Sequence, residues 1–136
     1  MILPDPTSLQ KQYTVDGHVI EYRGLMELVQ GGPEVGDLFV DGCRVGGTLR
    51  FGGPLIPYQG AIYVPVYSKG LFSSGFVLAR VDLTNGQVAK LGKRQGLIYL
   101  SKIEDDIVYY YTDIDQTRAK AFTLTPAEGP SRRTLS

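Results

Sequence analysis

Between Glu104 and Asp115 the chain sets five carboxylates around three consecutive tyrosines. Glu104, Asp105 and Asp106 precede Tyr109, Tyr110 and Tyr111, and Asp113 and Asp115 follow them. Two kinds of chemistry use such residues. Carboxylates held about 5–10 Å apart can divide the roles of acid, base and nucleophile, as glycoside hydrolysis requires. Alternatively, tyrosines bring a large contact area at low entropic cost and are enriched where proteins bind proteins, and an acidic rim complements a basic partner surface. The second use is favoured, so all eight residues are candidate partner-binding positions. Strand alternation puts Tyr110 on the face opposite Tyr109 and Tyr111, which leaves at least one ring for solvent.

Asp113-Ile114-Asp115-Gln116-Thr117 directly follows an apolar run and reads D-x-D-x-T. It resembles the nucleophile loop of haloacid-dehalogenase-type phosphatases. That resemblance implies a first Asp attacking phosphorus, a second acting as acid and base, and an α/β fold with the motif early in a long chain. Here 19 residues follow Thr117, so the family's further motifs and its Mg²⁺ site have no room. Asp-rich turn chemistry, in which Asp side chains accept from nearby backbone N–H groups, is the expectation instead. The same D-x-D spacing lacks the further ligands of a calcium loop. No Ser/His/Asp, HExxH, CxxC, Walker or GxGxxG arrangement is present, and neither a metal nor a cofactor is expected.

The elements that must carry these residues are strands. Asp16-Gly17, Asp41-Gly42, Asn85-Gly86 and Asp105-Asp106 each separate short runs rich in Val, Ile, Leu and Tyr. Asn or Asp followed by Gly accommodates the positive φ angles of tight hairpin turns. Gly24 to Gln30 is predicted as a further strand. The glycines and prolines of residues 46–60 mark a bend. In Ala61–Tyr67, alternation puts Ile62, Val64 and Val66 on one face and Tyr63 and Tyr67 on the other, while Pro65 predicts an edge position or a bulge. Val77, Ala79, Val81 and Leu83 share a face, with Arg80 and Asp82 opposite. The expected fold class is all-β, an antiparallel meander of hairpins.

Gly60-Ala61-Ile62-Tyr63-Val64 is similar to Gly96-Leu97-Ile98-Tyr99-Leu100, and Gly36-Asp37-Leu38-Phe39-Val40 is a fainter copy. A period near 40 residues resembles that of β-propeller blades. The resemblance implies blade-like units at about 36–59, 60–95 and 96–125, forming a curled sheet, a sandwich or a partial propeller. Residues 1–12 are expected as an extended lead-in because Pro4 and Pro6 remove backbone donors. Residues 13–125 form a single β domain, and 126–136 a flexible tail.

Lys plus Arg and Asp plus Glu number 14 each, so no net field recruits nucleic acid or anionic lipid. No apolar run reaches the roughly 20 residues of a membrane helix, and no secretory signal opens the chain. Cys43 is the single cysteine, which excludes an internal disulfide and fits a reducing, cytoplasmic setting. It is expected as a small, partly buried hydrophobe, and His18, the single histidine, as a strand residue just after a turn. A catalytic thiolate would need a base, and His18 is distant in sequence. The composition points to a non-catalytic protein-binding module with a basic partner, and to self-association through sheet edges. In size and composition the chain is similar to small bacterial toxin-immunity proteins. The alternatives are a carboxylate-dependent hydrolase and a glycan-binding β domain.

Overall fold

In the computed structural model, residues 5–71 and 73–124 are described, and all regular structure among them is strand. The first part of the lead-in (1–4) and the C-terminal tail (126–136) lie outside the described residues. Twelve strands follow one another: β1 (Gln12–Val15), β2 (His18–Glu27), β3 (Glu34–Val40), β4 (Cys43–Val45), β5 (Arg50–Phe51), β6 (Ile56–Tyr58), β7 (Ala61–Lys69), β8 (Ser74–Asp82), β9 (Val88–Gln95), β10 (Tyr99–Glu104), β11 (Ile107–Tyr111) and β12 (Ala119–Thr123). Nine form one sheet in the order β1-β2-β3-β5-β7-β8-β9, with β4 paired to β3 and β6 to β7. The remaining three form a separate sheet, β10-β11-β12. Every pairing is antiparallel. Strands β7–β9 belong to the large sheet while β10–β12 stand apart, so the three expected units are not equivalent sheets around an axis. Among the described residues no helix is long and apolar enough to cross a membrane.

The turns form where Asx and Gly permit them. Asp16-Gly17 and Asp41-Gly42 have φ of 50 and 81°, and 50 and 82°, both residues in the left-handed region that a two-residue hairpin turn requires. Asp105-Asp106 does the same without glycine, at 53 and 62°. Asn85-Gly86 instead sits in a longer loop, where Asp82 accepts from the N–H and hydroxyl of Thr84 and Asn85 accepts from the N–H of Gln87. The strand predicted at Gly24 to Gln30 is the far half of β2, which runs on to Glu27 through an irregularity between Arg23 and Met26. Gly24, at φ 66°, supplies that kink. Residues 5–8 form a turn rather than extended chain. Asp5 accepts from Thr7, while Pro6 and Leu9 are tied to Glu34 of β3.

The β7–β8 hairpin organises everything else because both its faces are buried. Ile62, Val64 and Val66 of β7 and Ala79 and Val81 of β8 enter one cluster, with Ile20, Tyr22, Leu38, Val40 and Phe51. Ala61, Tyr63, Phe76 and Leu78 enter a second, with Leu91, Ile98, Leu100, Val108 and Tyr110. The large sheet therefore curls over one face of the hairpin and the small sheet covers the other. Alternation along β7 is as expected, yet the tyrosine face is not a solvent face. Arg80 and Asp82 are likewise nearly buried and paired at 3.6 Å.

Pro65 departs from its expected edge position: β7 lies inside the sheet. Its neighbour on one side is interrupted, since β5 pairs with Val66 and Tyr67 and β6 with Ala61, Ile62 and Tyr63. The carbonyl of Pro65 accepts from the N–H of Gly52 on that side. Its missing N–H faces the gap between the two short strands, so no ladder bond is lost.

Truncation in either core is expected to destabilise. Ile62→Ala and Ile98→Ala should each cost about 2–5 kcal/mol in urea denaturation, whereas Leu71→Ala, at a position 89% exposed, should stay within about 0.5 kcal/mol. Near-wild-type stability of either core variant would disprove the two-sided packing.

Candidate functional site

The three-stranded sheet carries the residues singled out in the sequence, and its geometry sorts them. Tyr110 pairs with Leu100 and is buried in the second core, as is Val108. Tyr109 and Tyr111, one step away on either side, point outward and are half-buried. Register puts Lys102 and Ala121 across from Tyr109, and Tyr99 and Ala119 across from Tyr111. The ammonium of Lys102 lies 5.1 Å from the Tyr109 ring centroid, within cation–π range. The irregularity between Leu100 and Lys102 opens this face. A hollow of about 130 Å³ results, lined by Ser101, Lys102, the three tyrosines, Ala119 and Lys120.

The carboxylates do not converge. Glu104, Asp105 and Asp106 lie at the β10–β11 turn, while Asp113 and Asp115 lie at the β11–β12 turn. The five residues of β11 hold these ends about 17 Å apart. Asp106 is engaged structurally: Tyr58 of β6 donates to its Oδ1 at 2.6 Å and accepts from its N–H at 3.0 Å, joining the two sheets. That pairing with a carboxylate, with burial, holds the Tyr58 hydroxyl above its usual titration range. Asp113 accepts from the hydroxyl and N–H of Thr117 and from the N–H of Arg118. It is thus a turn carboxylate, as expected for a D-x-D-x-T string without phosphatase context. Glu104, Asp105 and Asp115 are exposed, with Glu104 3.4 Å from Lys102. Among the described residues no three His, Cys, Asp or Glu side chains converge to hold a metal ion.

A second place gathers residues that local sequence patterns left scattered. Ile20 pairs with Val40, and Val40 with Cys43, so these three share one face across β2, β3 and β4. His18, two residues before Ile20, shares that face at the end of the sheet where the β1–β2 and β3–β4 turns lie. His18 Nδ1 is 2.6 Å from Asp41 Oδ2, while Asp41 Oδ1 accepts from the N–H of Val19 at 2.8 Å. A cavity of about 330 Å³ opens here, lined by His18, Val40, Asp41, Cys43, Arg44, Val45 and residues 83–86 of the β8–β9 loop. Cys43 is exposed rather than partly buried. Cys43 and His18, distant in sequence, thus line the same cavity. The available signal was the meander itself, which returns every second turn to the same end of a sheet.

No protein-family model matches this chain, and comparison with curated proteins and with solved structures returns no match.

Several carboxylates titrate low for identifiable reasons. The Val19 N–H and the His18 ring hold Asp41 below the usual carboxylate range. Thr117 and the Arg118 N–H do the same for Asp113. For Asp82, burial pushes upward, but Thr84 and the Arg80 charge outweigh it. A carboxylate whose folded value is depressed contributes stability that is present above its unfolded value. That contribution disappears as pH falls through the folded value. Melting temperature should therefore decline on acidification through and below the ordinary carboxylate range. Asp82→Asn should flatten that acid limb in thermal melts across pH, and an unchanged limb would refute the assignment.

Proposed function

We propose that this chain is a non-catalytic protein-binding module whose contact surface is the outward face of the β10–β11–β12 sheet. The observation that carries this reading is the placement of Tyr109 and Tyr111 on one outward surface, with the short side chains of Ala121 and Ala119 beside them on β12. Flat aromatic area beside small residues lets a partner approach closely, and tyrosine is a frequent anchor at interface centres. The segment 96–124 carries five carboxylates against three cations. Glu104, Asp105 and Asp115 are exposed at its two ends. A partner with a basic surface fits this charge pattern. An immunity-type role in the cytoplasm, in which this face covers a toxin's functional surface, belongs to the same reading, as does self-association through the β12 edge.

Glycan recognition is the second reading, favoured by the hollow beside the Tyr109 and Tyr111 rings, since sugar rings stack on aromatic faces. The carboxylate-hydrolase alternative has less support. The acids are split between opposite ends of β11, and each cavity described above is lined by at most one carboxylate.

Affinity capture from the native host with the chain as bait, followed by mass spectrometry, tests the binder. A specific protein should be retained, and Tyr109→Ala with Tyr111→Ala should weaken its binding by about 2 kcal/mol or more, roughly 30-fold. The folded strand signal should persist in circular dichroism. Unchanged capture by the double variant would overturn the assignment of this face. Retention of oligosaccharides on a glycan array, with no protein captured, would favour the second reading.

A further inference from the structure

We propose that the outer edge of β9 is a docking edge, to which an extended acidic segment of a partner protein adds as one more strand of the large sheet. The proposal is independent of the tyrosine face and rests on different residues. β9 ends the large sheet, with β8 paired along one of its sides and no strand along the other. Among the described residues, no hydrogen bond reaches the backbone of β9 except from β8. Alternate N–H and C=O groups along its eight residues are turned outward, and such a row is the template that strand addition uses. The small sheet leaves this edge open. β12 pairs only with β11 and meets β9 at its face, where the ring of Phe122 lies against Gly92.

The edge carries charge of one sign. Val88–Gln95 holds Lys90, Lys93 and Arg94 and no carboxylate. Arg23, Arg44, Arg50, Arg80 and Lys102 are all ion-paired, but among the described residues no carboxylate pairs with the three cations of β9. Arg94 donates instead to the hydroxyl of Ser73 at 3.0 Å. Lys120 of β12 donates to the side-chain carbonyl of Gln95 at 3.1 Å and extends the row. Gly92, at φ 72°, bends the strand between Lys90 and Lys93, and bends of this kind re-aim side chains at sheet edges. Lys93 and Arg94 are successive residues and point to opposite faces, so an added strand meets cations on both.

The charge selects the occupant. Cations along an edge repel an identical edge, which keeps a second copy from pairing there. The same cations favour a strand with carboxylates at facing positions. The chain's own residues 125–136, with two arginines and one glutamate, have the wrong sign. Single-stranded nucleic acid would use the cations but not the outward backbone groups, and β9 has no aromatic ring for a base to stack on.

The test uses the full chain and a capped, dye-labelled peptide matching β9 in length, in which glutamate alternates with valine and threonine. Fluorescence anisotropy should show saturable binding that weakens as salt is raised. The same peptide N-methylated along its backbone keeps its charge but loses its donors, and should bind about 10-fold or more weakly. Lys90→Glu combined with Lys93→Glu should lose about 10-fold or more with circular dichroism unchanged. On binding, amide hydrogen exchange should slow in β9 and not in β1, the opposite edge of the same sheet. Failure of the acidic peptide to bind the wild type would overturn the proposal, as would equal binding of the N-methylated peptide or unslowed exchange in β9. Tighter binding of an oligothymidylate of the same charge would overturn it as well, making the cations a nucleic-acid surface.

Discussion

The constraint on which this structure depends is the burial of both faces of the β7–β8 hairpin. A half-exposed antiparallel strand alternates apolar and polar residues, but Ala61–Ser68 and Gly75–Asp82 carry few polar side chains on either face. Covering one face alone would leave Tyr63, Phe76 and Leu78, or else Ile62, Val64 and Ala79, in water. A fully buried side chain of this size is worth about 1.5–3 kcal/mol, so neither layer is dispensable. The large sheet curls β1–β4 back over one face. The small sheet exists to cover the other, and this is why its inner residues Leu100, Val108 and Tyr110 are apolar or nearly so. Gly75 serves the same packing inside the sheet: a Cβ there would collide with the carbonyl oxygen of Gln95 on β9.

Most of what was legible in the sequence was local. The Asx-Gly turns follow from the left-handed conformation those residues tolerate, and facing along β7 follows from a period of two. The pairing order was not legible. That β3 reaches β7 through the two residues of β5 depends on tertiary packing, and the tolerance of Pro65 inside the sheet depends on the gap between β5 and β6. Alternation separated Tyr110 from Tyr109 and Tyr111 but could not say which side was the core. The dispersal of the acids was legible in principle. Two turns at opposite ends of one extended strand cannot meet, and Glu104 to Asp115 spans such a strand.

The same rule works in the other direction for His18 and Cys43. Each follows an Asp-Gly turn, and the two turns are separated by the strand pair β2–β3. A meander returns to the same end after two strands, so residues just past the first and third turns come to line one cavity. Separation of 25 positions in sequence thus reflects one up-and-down excursion of the chain. Single residues that carry no pattern of their own can be placed together by the regularity of the strands between them.

The two surfaces differ in how they are supported. The cavity sits on the ladder of the large sheet, where β2, β3 and β4 are hydrogen-bonded to one another and Asp41 ties the turn of one hairpin to the strand of the next. The tyrosine face lies on a sheet with no ladder bonds to the large one. It is held by the second core, by Tyr58 on Asp106 and by Lys120 on Gln95. A layer docked by side chains can shift as a unit without breaking backbone pairing, and such units open at lower free energy than the ladder they rest on. The division of the fold into one continuous sheet and one separate sheet therefore gives the two surfaces different mechanical support, a backbone ladder under the cavity and a side-chain-docked layer under the tyrosine face.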